Sequence, residues 1–201
     1  MLDRYAAALI QPAVDALARR LARRGVHAHQ LTLAGFAIGL LASFLIANNV
    51  YFLTAVAIIC SRICDALDGA VARQTQTSDA GGFLDITLDF LFYASIPLGF
   101  AFADPGRNAL AAAALLAAFM GTASSFLAFA VLAARRGMAS TAYPQKSFYF
   151  LGGLTEATET LLFFLAMCLW PALFSVLAWV FAALCLVTTA TRIWWGWQAL
   201  R

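Results

Sequence analysis

The stretch RICDALDGAVARQTQTSDAGGFLDITLD, residues 62–89, decides how this chain is read. It carries four carboxylates, Asp65, Asp68, Asp85 and Asp89, as one i, i+3 pair and one i, i+4 pair. Either spacing puts both members of a pair on one face of a helix. Apolar runs lead into Asp65 and out of Asp89, so each pair sits near one end of a long hydrophobic segment. The short polar stretch between the pairs makes the two helices neighbours. The spacing therefore predicts four acids converging on one point.

Working outward, the surroundings are hydrophobic. Of 201 residues, 63% are apolar and 11% charged, with a net charge of +3. Soluble domains run at about 45–50% apolar and about 25% charged. The difference excludes an ordinary soluble domain and excludes disorder. The charge is too small to suggest a nucleic-acid partner. Cys60, Cys64, Cys168 and Cys185 all lie in apolar runs and read as small packing residues.

Six membrane spans are expected: Leu31 to Asn48, Val50 to Ala66, Phe83 to Phe102, Ala109 to Ala134, Phe148 to Trp170, and Pro171 to Trp195. They must be helical, because the alternating pattern of a membrane β-barrel is absent. Ahead of them, Leu2, Ala6, Leu9, Ala13, Leu17 and Leu21 recur at helical spacing among Arg4, Arg19, Arg20, Arg23 and Arg24. That pattern predicts an amphipathic interfacial helix over residues 1–25, closed by Gly25, with a six-helix transmembrane domain over 26–201. The alternation of apolar and charged residues there is unlike a secretory signal. With the N-terminus cytoplasmic, every Lys and Arg except Arg107 falls on one side, so both termini and the carboxylates are expected to face the cytoplasm of a multi-pass cell-membrane protein.

Each carboxylate at membrane depth costs roughly 2.5–3.5 kcal/mol. Asp65 lies about 22 Å along a helix from Val50 at about 1.5 Å per residue, which is several ångströms below the cytoplasmic surface of a core about 30 Å thick. Arg62 and Arg73 are the basic groups within the stretch, too few to neutralise four acids. Two divalent cations would balance them, and an oxygen-only donor set favours Mg²⁺ or Mn²⁺. Such ions can clamp the phosphoryl group of a lipid. A divalent-cation transporter could use the same acids. Gly69, which lets a phosphate approach the backbone, and Arg73, a planar anion fork, favour phosphoryl chemistry.

These residues resemble the CDP-alcohol phosphotransferase (CDP-alcohol phosphatidyltransferase) family, whose signature reads D-x2-D-G-x2-A-R-x8-G-x3-D-x3-D. Asp65, Asp68, Gly69, Ala72, Arg73, Gly81, Asp85 and Asp89 match it in order, with seven residues instead of eight between Arg73 and Gly81. The resemblance implies transfer of the phosphatidyl group of CDP-diacylglycerol to a small polar alcohol, with release of CMP. It implies that Asp65, Asp68, Asp85 and Asp89 hold two divalent metals and that Asp89 is also the catalytic base. It further implies that Gly69, Arg73 and Ser78 bind CDP-diacylglycerol. At the entry to the first span, His29-Gln30-Leu31-Thr32 keeps the Leu and Thr of a family pattern but not its Asn.

The acceptor is less determined. Arg135, Arg136, Lys146 and Arg192 fall on the carboxylate side and read either as topology anchors or as a basic vestibule. Arg136 and Arg192 are the candidates for a phosphorylated acceptor such as glycerol 3-phosphate or inositol phosphate. Glu156 and Glu159, inside the expected fifth span after Gly152-Gly153, would line the acceptor chamber or pair with its basic groups. They would equally suit an amine-bearing acceptor such as serine or ethanolamine, and unphosphorylated inositol stays open too. Protonation and hydrogen bonding within the bundle is the remaining reading of this pair. Gly121, Ser124 and Ser125 in the fourth span permit close helix contact, from which a homodimer is expected.

Overall fold

The computed structural model describes the backbone of residues 3–138 and 153–201, and side chains from residue 9 onward within those limits. Among the described residues every regular element is helical. In chain order they are α1 (Asp3–Arg23), α2 (Ala28–Ala47), α3 (Tyr51–Gln74), α4 (Asp79–Ala103), α5 (Pro105–Arg135), α6 (Ala157–Leu169), and α7 (Phe174–Leu200), which a single 3₁₀ turn at Pro171–Leu173 leads into. Among the described residues, four helices are long and apolar enough to cross a membrane: Ala28–Ala47, Asp79–Ala103, Pro105–Arg135 and Pro171–Leu200. α3 is equally long but carries Arg62, Asp65, Asp68 and Arg73, so its hydrophobicity is diluted by the acids that make it interesting.

Local sequence explains where these helices stop. Gly25 has φ +76°, Gly25 N donates to Ala22 O at 3.0 Å, and Val26 N donates to Leu21 O at 3.1 Å. This paired closure needs a left-handed residue, which glycine supplies without strain. Gly137 ends α5 in the same way. At the other end of a helix, Ser78 Oγ accepts from Gly81 N at 3.1 Å and opens α4.

Two expected boundaries differ. α3 runs well past Ala66, so Asp65, Asp68, Gly69 and Arg73 sit inside one continuous helix and not at the end of a span. The fifth span was expected to be helical from Phe148, but residues 153–156 are not helical and α6 begins at Ala157. Here Glu156 is the N-cap: its backbone N–H donates to Glu159 Oε2 at 3.1 Å, and its own Oε1 accepts from Gly153 N at 3.2 Å. Two acids read as span residues are thus a capping pair. Phe148, Gly152 and Lys146 lie outside the described residues.

Inside a bilayer the helices gain little from hydrophobic transfer, and close packing holds them together instead. Small residues on α2 make that packing, at Gly35, Gly39 and Ser43. A Cβ on Gly35 would stand 3.0 Å from Cys64 Cβ, and one on Gly39 would overlap the Phe92 ring. Ser61 Oγ donates to Gly35 O at 2.7 Å, and Ser43 Oγ donates to Ser95 O at 2.6 Å. α2 is therefore a spacer against which both α3 and α4 press, and it sets how the acid-bearing faces meet. Beyond it lies a core of fully buried rings, Phe92, Phe100, Phe164, Phe174 and Phe181. On the other side, Val14, Ala18 and Leu21 of α1 pack on Leu67, Ala70 and Val71 of α3, directly behind Asp68. Gly121 of α5 faces Thr189 of α7, with 3.0 Å from a hypothetical Cβ to Thr189 Oγ1, so this small residue serves packing within the chain.

Candidate active site

α3 and α4 bring their acids together as the spacing predicted, but not symmetrically. Asp65, Asp68 and Asp85 can each offer an oxygen within 4.8 Å of the others. Asp89 is instead engaged by Arg62: Nη1 donates to Asp89 Oδ1 and lies 3.5 Å from Asp65 Oδ2. The guanidinium also contacts Ser61 Oγ at 3.3 Å from Nη2 and stands over the Phe92 ring, 4.0 Å from its centroid. Sequence reasoning counted Arg62 only as a basic group too weak to neutralise four acids. Its position three residues before Asp65, on the same helical face, was the signal for a more specific role.

The three-acid cluster fits a divalent cation. Asp68 is 4% exposed, and its Oδ2 is buried without a hydrogen-bond partner. A buried carboxylate oxygen is expensive to leave unsatisfied. The donors are all carboxylate oxygens, the set suited to Mg²⁺ or Mn²⁺.

A cavity of about 1430 Å³ opens beside the acids. Asp68, Asp85 and Asp89 line it, as do Gly69, Arg73 and Ser78. Gly69 and Arg73 are one helical turn apart, and a Cβ on Gly69 would meet Arg73 Nη1 at 3.4 Å, so the glycine keeps the path to the guanidinium open. Ser78 is at the rim but spends its hydroxyl on capping α4. His27 and His29, with ring centroids 5.4 Å apart and nearly parallel, also line the cavity.

Arg192 and Glu156 line the same cavity. Arg192 is 8% exposed, donates from Nη1 to Thr122 O at 3.1 Å, and keeps Nε buried without a partner. Just beside it Thr155, in the segment before α6, meets Thr188 of α7, Oγ1 to Oγ1 at 2.9 Å. Gly153 is required there because a Cβ would overlap Thr188. Arg136 is placed differently: it is the exposed C-cap of α5 and does not line the cavity.

A bundle of apolar helices with clustered carboxylates at the wall of a large cavity fits either a phosphoryl-transfer or a cation-transport site, and the relatives of the chain separate the two. Residues 26–194 match the family described as CDP-alcohol phosphatidyltransferase. Inner membrane protein YnjF of Escherichia coli is 52% identical over 201 residues, covering 100% of this chain and 98% of that protein. Archaetidylinositol phosphate synthase of Pyrococcus horikoshii is 40% identical over 102 residues, 50% of this chain and 54% of that one. Phosphatidylinositol phosphate synthase of Streptomyces avermitilis is 37% identical over 113 residues, 54% of this chain and 46% of that one. In fold, the chain resembles the crystal structure of Mycobacterium tuberculosis phosphatidylinositol phosphate synthase (PgsA1) with CDP-DAG bound. That likeness has a TM-score of 0.67 at 23% identity and covers 92% of this chain and 93% of that one. A second structure of that synthase, in complex with manganese and citrate, matches with the same TM-score of 0.67 at 22% identity, over 92% of this chain and 88% of that one.

The chain belongs to the CDP-alcohol phosphatidyltransferase family. It is accordingly an enzyme, a phosphatidyltransferase, and a multi-pass membrane protein. The transporter reading of the same acids has no comparable support.

Proposed function

We propose that the protein transfers the phosphatidyl group of CDP-diacylglycerol to a phosphorylated small alcohol, releasing CMP. The observation that carries this reading is one cavity lined both by Asp68, Asp85, Asp89, Gly69 and Arg73 and by the buried Arg192. Arg192 keeps one buried N–H without a partner, which suits it to an anionic acceptor. The two partial relatives are named as synthases of inositol phosphate lipids, which agrees in acceptor class. Inositol phosphate is the leading acceptor and glycerol 3-phosphate the next.

In this reading Asp65, Asp68 and Asp85, with Asp89, hold two divalent cations, Mg²⁺ or Mn²⁺. When bound, such ions supply Lewis-acid polarisation of the phosphoryl group and of the leaving phosphate. Gly69 lets the diphosphate approach the α3 backbone, and Arg73 pairs with its charge. Ser78 and the His27–His29 pair stand at the nucleotide end. Asp89 takes the acceptor hydroxyl proton while that oxygen forms its bond to the lipid phosphorus. The bond from phosphorus to the CMP oxygen breaks, and CMP carries away the electron pair. Arg192 orients the acceptor phosphate, Glu156 fixes the wall behind it, and Arg136 contributes only to topology.

Six spans with α1 in the interface complete the architecture, with α3 and α6 as the two shorter or more polar crossings. The basic residues argue for a cytoplasmic active site and cytoplasmic termini. A homodimer would use the exposed side of α5 around Ser124, since Gly121 is occupied by α7. The test is an acceptor panel: purified protein with CDP-diacylglycerol and Mn²⁺ should release CMP fastest with inositol phosphate. Equal or faster release with serine, ethanolamine or free inositol rejects the phosphorylated-acceptor assignment.

A further inference from the structure

The interhelical ion pair has a consequence for how the site loads metal. Arg62 is the cation that meets the acids from the side away from the large cavity. Between Thr32, Gly35, Arg62, Asp65, Asp85 and Asp89 there remains a space of about 10 Å³. That is at the lower limit for a single water, roughly 10–15 Å³. While the guanidinium stays, a second divalent ion with any of its water has no room on this side of Asp89, and Asp89 Oδ1 is already engaged, although the large cavity opens on the other side of the carboxylate. Asp65, Asp68 and Asp85 are arranged differently: each can offer an oxygen within 4.8 Å of the others, and the guanidinium approaches this cluster at Asp65 Oδ2, 3.5 Å from Nη1.

We propose that Arg62 is a built-in competitor for the second divalent cation: it holds Asp89 until that ion displaces it. The first ion enters at Asp65, Asp68 and Asp85, where the guanidinium makes the looser of its two acid pairings, 3.5 Å from Asp65 Oδ2. The second must take Asp89 from Arg62. Several features make the guanidinium displaceable. Its Nε is buried without a partner, so its hydrogen bonding is incomplete where it stands. Phe92 and Tyr93 offer ring faces, 4.0 and 5.5 Å from Cζ to their centroids, on which it can remain after releasing the acids. Arg62 is thus a positioning residue for the base, and it keeps the acids compensated in the metal-free protein. The inference rests on the carboxylates being the metal site of the proposed function.

The experiment is an Mn²⁺ titration of the full-length purified protein, followed by calorimetry and by electron paramagnetic resonance. The wild type should bind two ions, the second at least about tenfold more weakly than the first, because it competes with a charge in contact. In Arg62→Gln the second step should tighten by about tenfold or more. If the second ion is too weak to see in the wild type, its appearance in R62Q is the same result. Arg62→Lys keeps a competing charge and should leave the steps separated. Thermal melts give a second readout: R62Q should be markedly less stable than wild type in EDTA, with most of the gap closed by Mn²⁺. A second step unchanged or weakened in R62Q overturns the proposal. So does failure of both variants to fold in saturating Mn²⁺, since metal then cannot stand in for the guanidinium. Absence of any Mn²⁺ binding by the wild type would overturn the metal reading itself, which is a distinguishable result.

Discussion

Arg62 of α3 donates to Asp89 of α4, so the acid assigned as the base is also the acid that joins the two helices. The other three acids can each offer an oxygen within 4.8 Å of one another, and of these Asp65 also lies 3.5 Å from Arg62 Nη1. A chemical role and a structural role therefore meet at one side chain, and they can be separated by substitution.

Asp89→Asn removes the ability to take a proton but keeps an oxygen that can accept from Arg62. Turnover, read as CMP release, should fall by about 10²–10⁴. Thermal stability should change little. Full activity in this variant would remove Asp89 as the base.

Two glycines should respond in opposite ways to the same substitution. Gly39→Ala pushes a methyl into Phe92 and separates α2 from α4, so it should cost about 1–3 kcal/mol of stability. Gly69→Ala meets only Arg73 Nη1, at 3.4 Å, and replaces a helix-interior glycine, so it should gain about 0.5–1 kcal/mol. Its activity should nevertheless fall, with the KM for CDP-diacylglycerol raised. Denaturant melts and initial rates on the two variants check both signs.

Arg192→Ala and Arg136→Ala should also part company. Loss of Arg192, at the cavity wall, should raise the KM for a phosphorylated acceptor by about tenfold to a hundredfold, the range of one charged hydrogen bond of about 1.5–3 kcal/mol. The KM for CDP-diacylglycerol should hardly move. Arg136→Ala, at an exposed helix end, should leave both constants unchanged. Equal effects of Arg192→Ala on both substrates would reject its place at the acceptor end.

Glu156 tests the boundary between structure and specificity. As the N-cap of α6 it should cost about 0.5–2 kcal/mol when replaced by Ala. Glu156→Gln keeps an oxygen for Gly153 N and should retain most of that stability. A large rise in acceptor KM for Glu156→Gln, with stability intact, would mean that its charge serves the substrate as well.

Much of this was legible in the sequence because the signals were periodic or paired. Asp65 with Asp68, and Asp85 with Asp89, declare their helical faces by spacing alone, and Gly25 declares the end of α1. The spacer role of Gly35, Gly39 and Ser43 was also written at i, i+4 intervals, but small residues in an apolar span have many uses, and Gly121 shows that a partner within the chain is one of them. The break before α6 was hidden because the same two glutamates fit either a membrane helix or a cap. Only their hydrogen bonds to Gly153 and to the Glu156 backbone decide between these. The division of the four acids into a cluster and an ion pair depends on which acid Arg62 can reach across the helix interface. No spacing rule within one helix contains that distance.

Release of CMP from CDP-diacylglycerol is the most direct test of the central claim, that these acids serve phosphatidyl transfer to a phosphorylated alcohol. Purified protein with Mn²⁺ and inositol phosphate should release CMP and form the matching phospholipid, and Asp68→Asn or EDTA should stop both. No CMP release with any acceptor in the panel, from folded protein that binds Mn²⁺, would contradict the account.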